Sequence, residues 1–234
     1  MWLVPVSGAL NRFHHRRALE KIGGHERKSY DPFSLDRMPS LVGHVLARIK
    51  AAEICGVRAP DLPLHFHHEE APRLQFGNRR LPMSLAHSGD FVACALGRSP
   101  VGVDVEELES DFAFEGTARE VFSEKELARF ESLPPQDKML RFHQLWTLKE
   151  AFCKAAGLPF IGACDRSTFE INAQGHISFD FAAGQDATPP VCPKDWQFVL
   201  KRPSPGHIMA LAVNSGGKIR VEEELVDLEE LLAI

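Results

Sequence analysis

Val101-Gly102-Val103-Asp104-Val105-Glu106 follows the turn residues Gly97-Arg98-Ser99-Pro100 and alternates as a strand does. Side chains two apart share a face of a strand, so Asp104 and Glu106 point one way while Val103 and Val105 pack into a core. Two carboxylates on one face repel each other, and the arrangement persists most easily if a cation neutralises them or one keeps its proton. Oxygen ligands alone favour magnesium over zinc. The same residues also fit an acidic strand end running into a solvated Glu106-Glu107-Leu108-Glu109 turn, and the strand alone does not choose between the two.

Some way downstream stands Trp146-Thr147-Leu148-Lys149-Glu150-Ala151-Phe152-Cys153-Lys154-Ala155-Ala156-Gly157. On a helix Trp146, Glu150 and Lys154 line one face, beside an apolar stripe of Leu145, Leu148 and Phe152. Read for structure only, Glu150 and Lys154 are an i,i+4 ion pair worth about 0.2–0.5 kcal/mol. Taken with the strand, they complete a set of three carboxylates, Asp104, Glu106 and Glu150, with Lys154 left to hold a phosphate. That is the composition of a magnesium-pyrophosphate site. Lys149 either steers phosphate or faces solvent, and the phosphate role is the one favoured.

Upstream, Pro82-Met83-Ser84-Leu85-Ala86-His87-Ser88-Gly89-Asp90 places an imidazole and a hydroxyl at a tight hairpin turn, although His87 in isolation also fits a structural hydrogen-bonding role. Strands are expected at Trp2 to Val6, Leu64 to His68, Met83 to His87, Phe91 to Leu96, Thr168 to Asn172, Ile177 to Phe181, Gln197 to Lys201 and Ile208 to Val213. Helices are expected from Asn11 to Ile22, stopping at Gly23-Gly24, from an N-cap at Ser40 to Gly56, and from about Gln136 to Ala156. Ser123 and Glu126 have capping-box spacing. Asp186 to Pro193 is expected to be exposed. Each half offers helix followed by strands, which suggests an α+β chain of two similar lobes, 1–99 and 100–234, the second carrying the carboxylates.

Composition narrows the function. With 44% hydrophobic and 25% charged residues in 234, the chain reads as ordinary globular protein. A net charge of -5 argues against nucleic acid as a partner, since binding phosphate backbones needs a basic surface. The five cysteines are scattered without a CxxC pair, which fits reduced thiols in a cytoplasm rather than disulfides or zinc. No apolar run approaches a membrane span, and a cytoplasmic protein is expected. His65-Phe66-His67-His68 reads as strand rather than metal site, and His14-His15-Arg16-Arg17 as a solvated helix face.

These residues resemble the Sfp-like class of 4'-phosphopantetheinyl transferases. Its signature, a G-[IV]-D-x-E strand followed roughly forty residues later by W-[ST]-x-K-E-[AS]-x-x-K, is matched by Gly102 to Glu106 and Trp146 to Lys154. Ser84 to Gly89 resembles the family's N-[IL]-S-H-S-G segment, with Ser84 and Ala86 in place of Asn and Ser, and Ser40 to Arg48 resembles its first-lobe helix. Ala71-Pro72-Arg73 stands where the family has Gly-Lys-Pro.

The resemblance implies two similar lobes in a pseudo-twofold arrangement with the active site between them, in a monomer. It implies a holo-[acyl-carrier-protein] synthase type of transferase, which moves phosphopantetheine from coenzyme A to a serine of an apo acyl or peptidyl carrier protein. Asp104, Glu106 and Glu150 would bind magnesium, or manganese in its place. Glu150, Lys154 and His87 would be catalytic, Lys154 and His87 touching the phosphates. Ser88 would lie near the 3'-phosphate, with Arg27, Arg48 and Arg73 as further contacts. The carrier would dock along the segment between Phe112 and Phe130, of which Phe122 and Phe130 also suit a core. Two other readings remain open: an inactive module that binds coenzyme A or a carrier protein, and a magnesium-dependent phosphodiesterase.

Overall fold

The computed structural model describes residues 1–6, 10–28, 30, 35, 37–59, 62, 64–67, 70–76, 78–108, 114–182 and 191–233. Helix and strand are mixed along it, an α+β fold. In chain order come β1 (Trp2–Pro5), α1 (Arg12–Lys21), α2 (Gly24–Arg27), α3 (Met38–Cys55), β2 (Leu64–His67), β3 (Glu70–Phe76), β4 (Arg79–Ser88) and β5 (Phe91–Leu96). Then follow β6 (Val101–Glu107), α4 (Phe114–Val121), α5 (Glu124–Glu131), α6 (Pro135–Ala156), β7 (Ser167–Ile171), β8 (Ile177–Phe181), β9 (Trp196–Ser204) and β10 (His207–Asn214). The last elements are β11 (Glu224–Leu225) and α7 (Leu228–Ala233). The chain divides into two units, Met1–Ser99 with Arg220–Ile234, and Pro100–Ile219.

The first unit holds a sheet in the order β11-β1-β5-β4-β3-β2, with β11 parallel to β1 and the other pairs antiparallel. This moves residues 220–234 out of the second lobe, where the sequence had placed them. The Met1 ammonium donates to the Glu222 carbonyl at 2.7 Å, and the Trp2 indole donates to Glu224 at 3.0 Å. Partners so distant in sequence leave no local signal. β3 also went unforeseen, because Pro72 and the charged Glu70 disguise it.

α3 lies on β4 and β5 with almost every face buried, which explains its run of small and apolar residues. It begins at Met38, not after an N-cap at Ser40: Pro39 sits in the first turn, where its missing N–H costs nothing. The Ser40 hydroxyl instead meets that of Tyr30 at 3.3 Å. Gly56 closes the helix in the left-handed region at φ 66°. Asn11 caps α1, its side chain accepting from the amides of Phe13 and His14, and the helix ends before Ile22, with Gly24 opening α2. His14 and His15 are buried, not solvated, because α7 packs on α1 and Glu229 lies 2.6 Å from His14 Nε2.

In the second unit β6-β10-β9 form an antiparallel sheet and β7-β8 a hairpin. α6 crosses β6 and β10, burying Phe142, Leu145, Leu148 and Phe152 in a core shared with Phe169, Phe181 and Trp196. Phe122 and Phe130 are buried in that core too, stacked edge-to-face at 5.3 Å, so they are no docking residues. Phe112, and Asp186 up to residue 190, lie outside the described residues. The capping box forms as expected: Ser123 Oγ accepts from the Glu126 amide at 3.4 Å while Glu126 accepts from the Ser123 amide at 2.8 Å. Gly157 closes α6 at φ 65°. The five cysteines are free thiols. Among the described residues no helix is long and apolar enough to cross a membrane.

Candidate functional site

The site is built where α6 lies against β6. A Cβ at Gly102 would stand 2.0 Å from the carbonyl oxygen of Ala151 and 2.6 Å from the amide nitrogen of Ala155. Only glycine lets the two backbones approach this closely, and the approach sets Glu150 and Lys154 beside the strand that carries Asp104 and Glu106. β6 is held in turn by β10, with Asp104 opposite Ala210 and Glu106 opposite Ile208.

Asp104 is 4% exposed. Its Oδ1 accepts from Lys154 Nζ at 2.7 Å, while Oδ2 is buried without a hydrogen-bond partner. Glu106 accepts from the Trp146 indole at 3.0 Å, and that ring is braced by Phe142 and Phe160 at 5.8 and 4.8 Å. Burial pushes the Asp104 carboxyl up to about 7; Lys154 opposes this, and Glu106 and Glu150 add to it. Burial likewise raises Glu150, again against Lys154 and with Glu106. Burial works to lower Lys154, but attraction to Asp104 above all, then to Glu150 and Glu106, carries it upward. The three carboxylates thus feel one another across the strand and helix.

Among the described residues no three His, Cys, Asp or Glu side chains already form a metal-ready cluster. The residues nonetheless fit a hard cation. The donors are all oxygen, Asp104 Oδ2 is buried and unspent, and the mutual repulsion of Asp104, Glu106 and Glu150 is what a divalent ion would relieve.

Lys149 takes neither role read from the sequence. It is fully buried, with Nζ 2.7 Å from Glu126 Oε2 and donating to the carbonyl of Cys164 at 2.6 Å, to the carbonyl of Ser167 and to Ser167 Oγ. Facing neither phosphate nor water, it fastens the interior of the unit. Glu126 on α5 was legible only as half of a capping box; its second task, and that of Gly102, were missed.

Of the residues expected in the first unit, His87 is exposed on β4 opposite Val92, and Ser88 is half-buried opposite Phe91. Gly89, at φ 49°, and Asp90 make the turn between β4 and β5. Arg27 is exposed at the end of α2, donating to the Ile22 carbonyl at 3.4 Å. Arg73 sits on β3 opposite His65 and Pro82, and its side chain, like those of His65 to His68, lies outside the described residues. Arg48 is not turned toward a phosphate as expected. It is 4% exposed and its guanidinium is taken up by Glu26 at 2.6 Å and by the carbonyls of Ala59, Leu62 and Leu64. Neither a phosphate ligand nor a solvated helix residue, it ties α3 to the chain leading into β2.

Residues 100–210 match the model of the 4'-phosphopantetheinyl transferase superfamily. Over this stretch, just under half of its length, the chain is similar to that superfamily, and to Sfp-like members of it. It is similar to a 4'-phosphopantetheinyl transferase of Bacillus subtilis, 26% identical over 64% of this chain and 66% of that one. It is also similar to the 4'-phosphopantetheinyl transferase psf-1 of Bacillus pumilus, 32% identical over 53% and 52%, and to Sfp of Bacillus subtilis strain 168, 27% identical over 42% of each. The matches thus span from about two thirds to less than half the length of these relatives.

Proposed function

We propose that this chain is a magnesium-dependent 4'-phosphopantetheinyl transferase, moving phosphopantetheine from coenzyme A to a serine of an apo acyl or peptidyl carrier protein and releasing 3',5'-ADP. The observation that carries the reading is the Lys154–Asp104 pair at 2.7 Å, placed beside Glu106 and Glu150 by the close seat of α6 on β6. The superfamily match covers this same stretch.

The reaction needs a neutralised pyrophosphate, an oriented hydroxyl and a stabilised leaving group. Asp104, Glu106 and Glu150 would hold the metal, magnesium or manganese, which supplies positive charge to the phosphate oxygens. Lys154, partly exposed beside Asp104, turns its ammonium to a phosphate. The serine oxygen attacks the pantetheine-side phosphorus, the new P–O bond forms as the pyrophosphate P–O bond breaks, and 3',5'-ADP departs. Glu150, directly or through a water, accepts the serine proton, a task suited to a carboxylate whose proton affinity burial has raised. His87 donates a hydrogen bond to a phosphate oxygen, and Ser88, Arg27 and Arg73 contact the 3'-phosphate end. Arg48 is left out of that set.

The carrier would belong to fatty-acid, polyketide, nonribosomal-peptide or lysine-pathway synthesis, and the enzyme would work as a cytoplasmic monomer. Mass spectrometry of apo carriers of each kind, incubated with the protein, coenzyme A and magnesium, tests this. The expected result is a gain of one phosphopantetheine mass that a chelator abolishes and Glu150→Ala loses. Coenzyme A binding without any gain would support the inactive module, and hydrolysis of coenzyme A without acceptor would support the phosphodiesterase.

A further inference from the structure

Lys149 is one residue from Glu150, yet it points into the protein. Successive helical residues are turned by about 100° from one another, so any rotation of α6 that released Lys149 would swing Glu150 and Lys154 away from β6. The ammonium has anchors on separate pieces of chain: Glu126 in the first turn of α5, and the Cys164 to Ser167 turn that leads into β7. Glu126 is itself fixed, accepting from the amides of Ser123 at 2.8 Å and Phe169 at 2.7 Å. The rings of Phe122 and Phe169 flank the ammonium at 6.0 and 5.9 Å. Packed apolar residues often match or exceed a buried ion pair in stability, so stability alone does not account for a fully buried lysine.

We propose that Lys149 is a positioning residue: through Glu126 it fixes the rotation of α6, and thereby the seat of Glu150 and Lys154 against β6. The effect on turnover rests on the transferase reading; the effect on the helix does not.

The test uses the full chain as Lys149→Met, Glu126→Gln and the double variant, each examined for melting temperature, kcat and KM for coenzyme A. The 15N-indole resonance of Trp146, whose N–H donates to Glu106, serves as a gauge of how α6 sits on β6. Lys149→Met alone strands the Glu126 charge and should melt early. The double variant should regain most of that loss while kcat stays roughly 10- to 100-fold low, KM for coenzyme A changes little, and the Trp146 resonance is displaced. Wild-type kcat and an unmoved Trp146 resonance in a stable double variant would overturn the proposal. If the wild-type chain modifies no carrier, the transferase reading fails, and the Trp146 resonance still decides the positioning role. Should the double variant not fold, Glu126→Gln carries the test, since it removes the charge with its heavy atoms in place.

Discussion

Gly102 and Ala151 touch backbone to backbone: a methyl group on the glycine would fall 2.0 Å from the alanine carbonyl oxygen. Neither partner is a side-chain tip that can turn aside, so β6 and α6 must separate to admit even alanine. Gly102→Ala should therefore cost at least about 1–3 kcal/mol of stability, the usual range for overpacking, and should depress kcat further by parting Glu150 from Asp104. Urea denaturation and steady-state kinetics on the same preparation check both. Wild-type values in each would mean that the two backbones part freely.

Asp104 should make the metal-free protein weaken as pH rises. Its carboxyl titrates at about 7 when folded, against an ordinary value of 3.8. Between roughly pH 4 and 7 the folded chain thus keeps a proton that the unfolded chain has released, so stability falls across that window and stays reduced above it. Lys154, whose affinity for its proton is raised, contributes throughout this range and loses its part only above the ordinary lysine value of 10.5. Asp104→Asn should gain on wild type between pH 5 and 8, by about 1–4 kcal/mol in unfolding free energy, and added magnesium should narrow the gap. Parallel pH profiles for the two proteins would contradict this.

Glu150→Gln keeps the size of the side chain and removes a charge that Glu106 repels. Its melting temperature should be no lower than that of wild type, whereas kcat should fall by roughly 10²- to 10⁴-fold, the range for loss of a general base. Differential scanning calorimetry beside the carrier assay separates the two effects.

Arg48→Met should unfold readily without weakening coenzyme A binding in the folded fraction. The change leaves Glu26 and the carbonyls of Leu62 and Leu64 without their buried partner, at a cost of roughly 3–5 kcal/mol. A raised KM for coenzyme A at unchanged stability would return Arg48 to the ligand.

What could be read from the sequence is what short-range periodicity encodes. Alternation along β6 put Asp104 and Glu106 on one face, and four-residue spacing put Glu150 and Lys154 on another; the structure joins these faces through the Lys154–Asp104 pair. Ser123 and Glu126 announced their cap, and Gly56 and Gly157 their helix ends. Charge alone misled elsewhere. Lys149, Arg48, His14 and His15 look like surface residues until their partners arrive from distant segments: Glu126 and the Cys164 to Ser167 turn, Glu26 and the chain before β2, and α7. The glycine at 102 reads as a small residue in a strand; that it is a contact between backbones depends on a helix some fifty residues later.

The pairing of β11 with β1 also bears on the order in which the chain matures. Because the first unit takes its last strand and helix from residues 220–234, the whole of Pro100–Ile219 is translated before that unit can close. On the ribosome the second unit, continuous in sequence, can fold while Trp2 and its neighbours still await their parallel partner. Ribosome-bound intermediates should therefore show a protease-resistant core drawn from the later-made segment, and along β1 the edge that faces β11 should gain protection after the edge paired with β5.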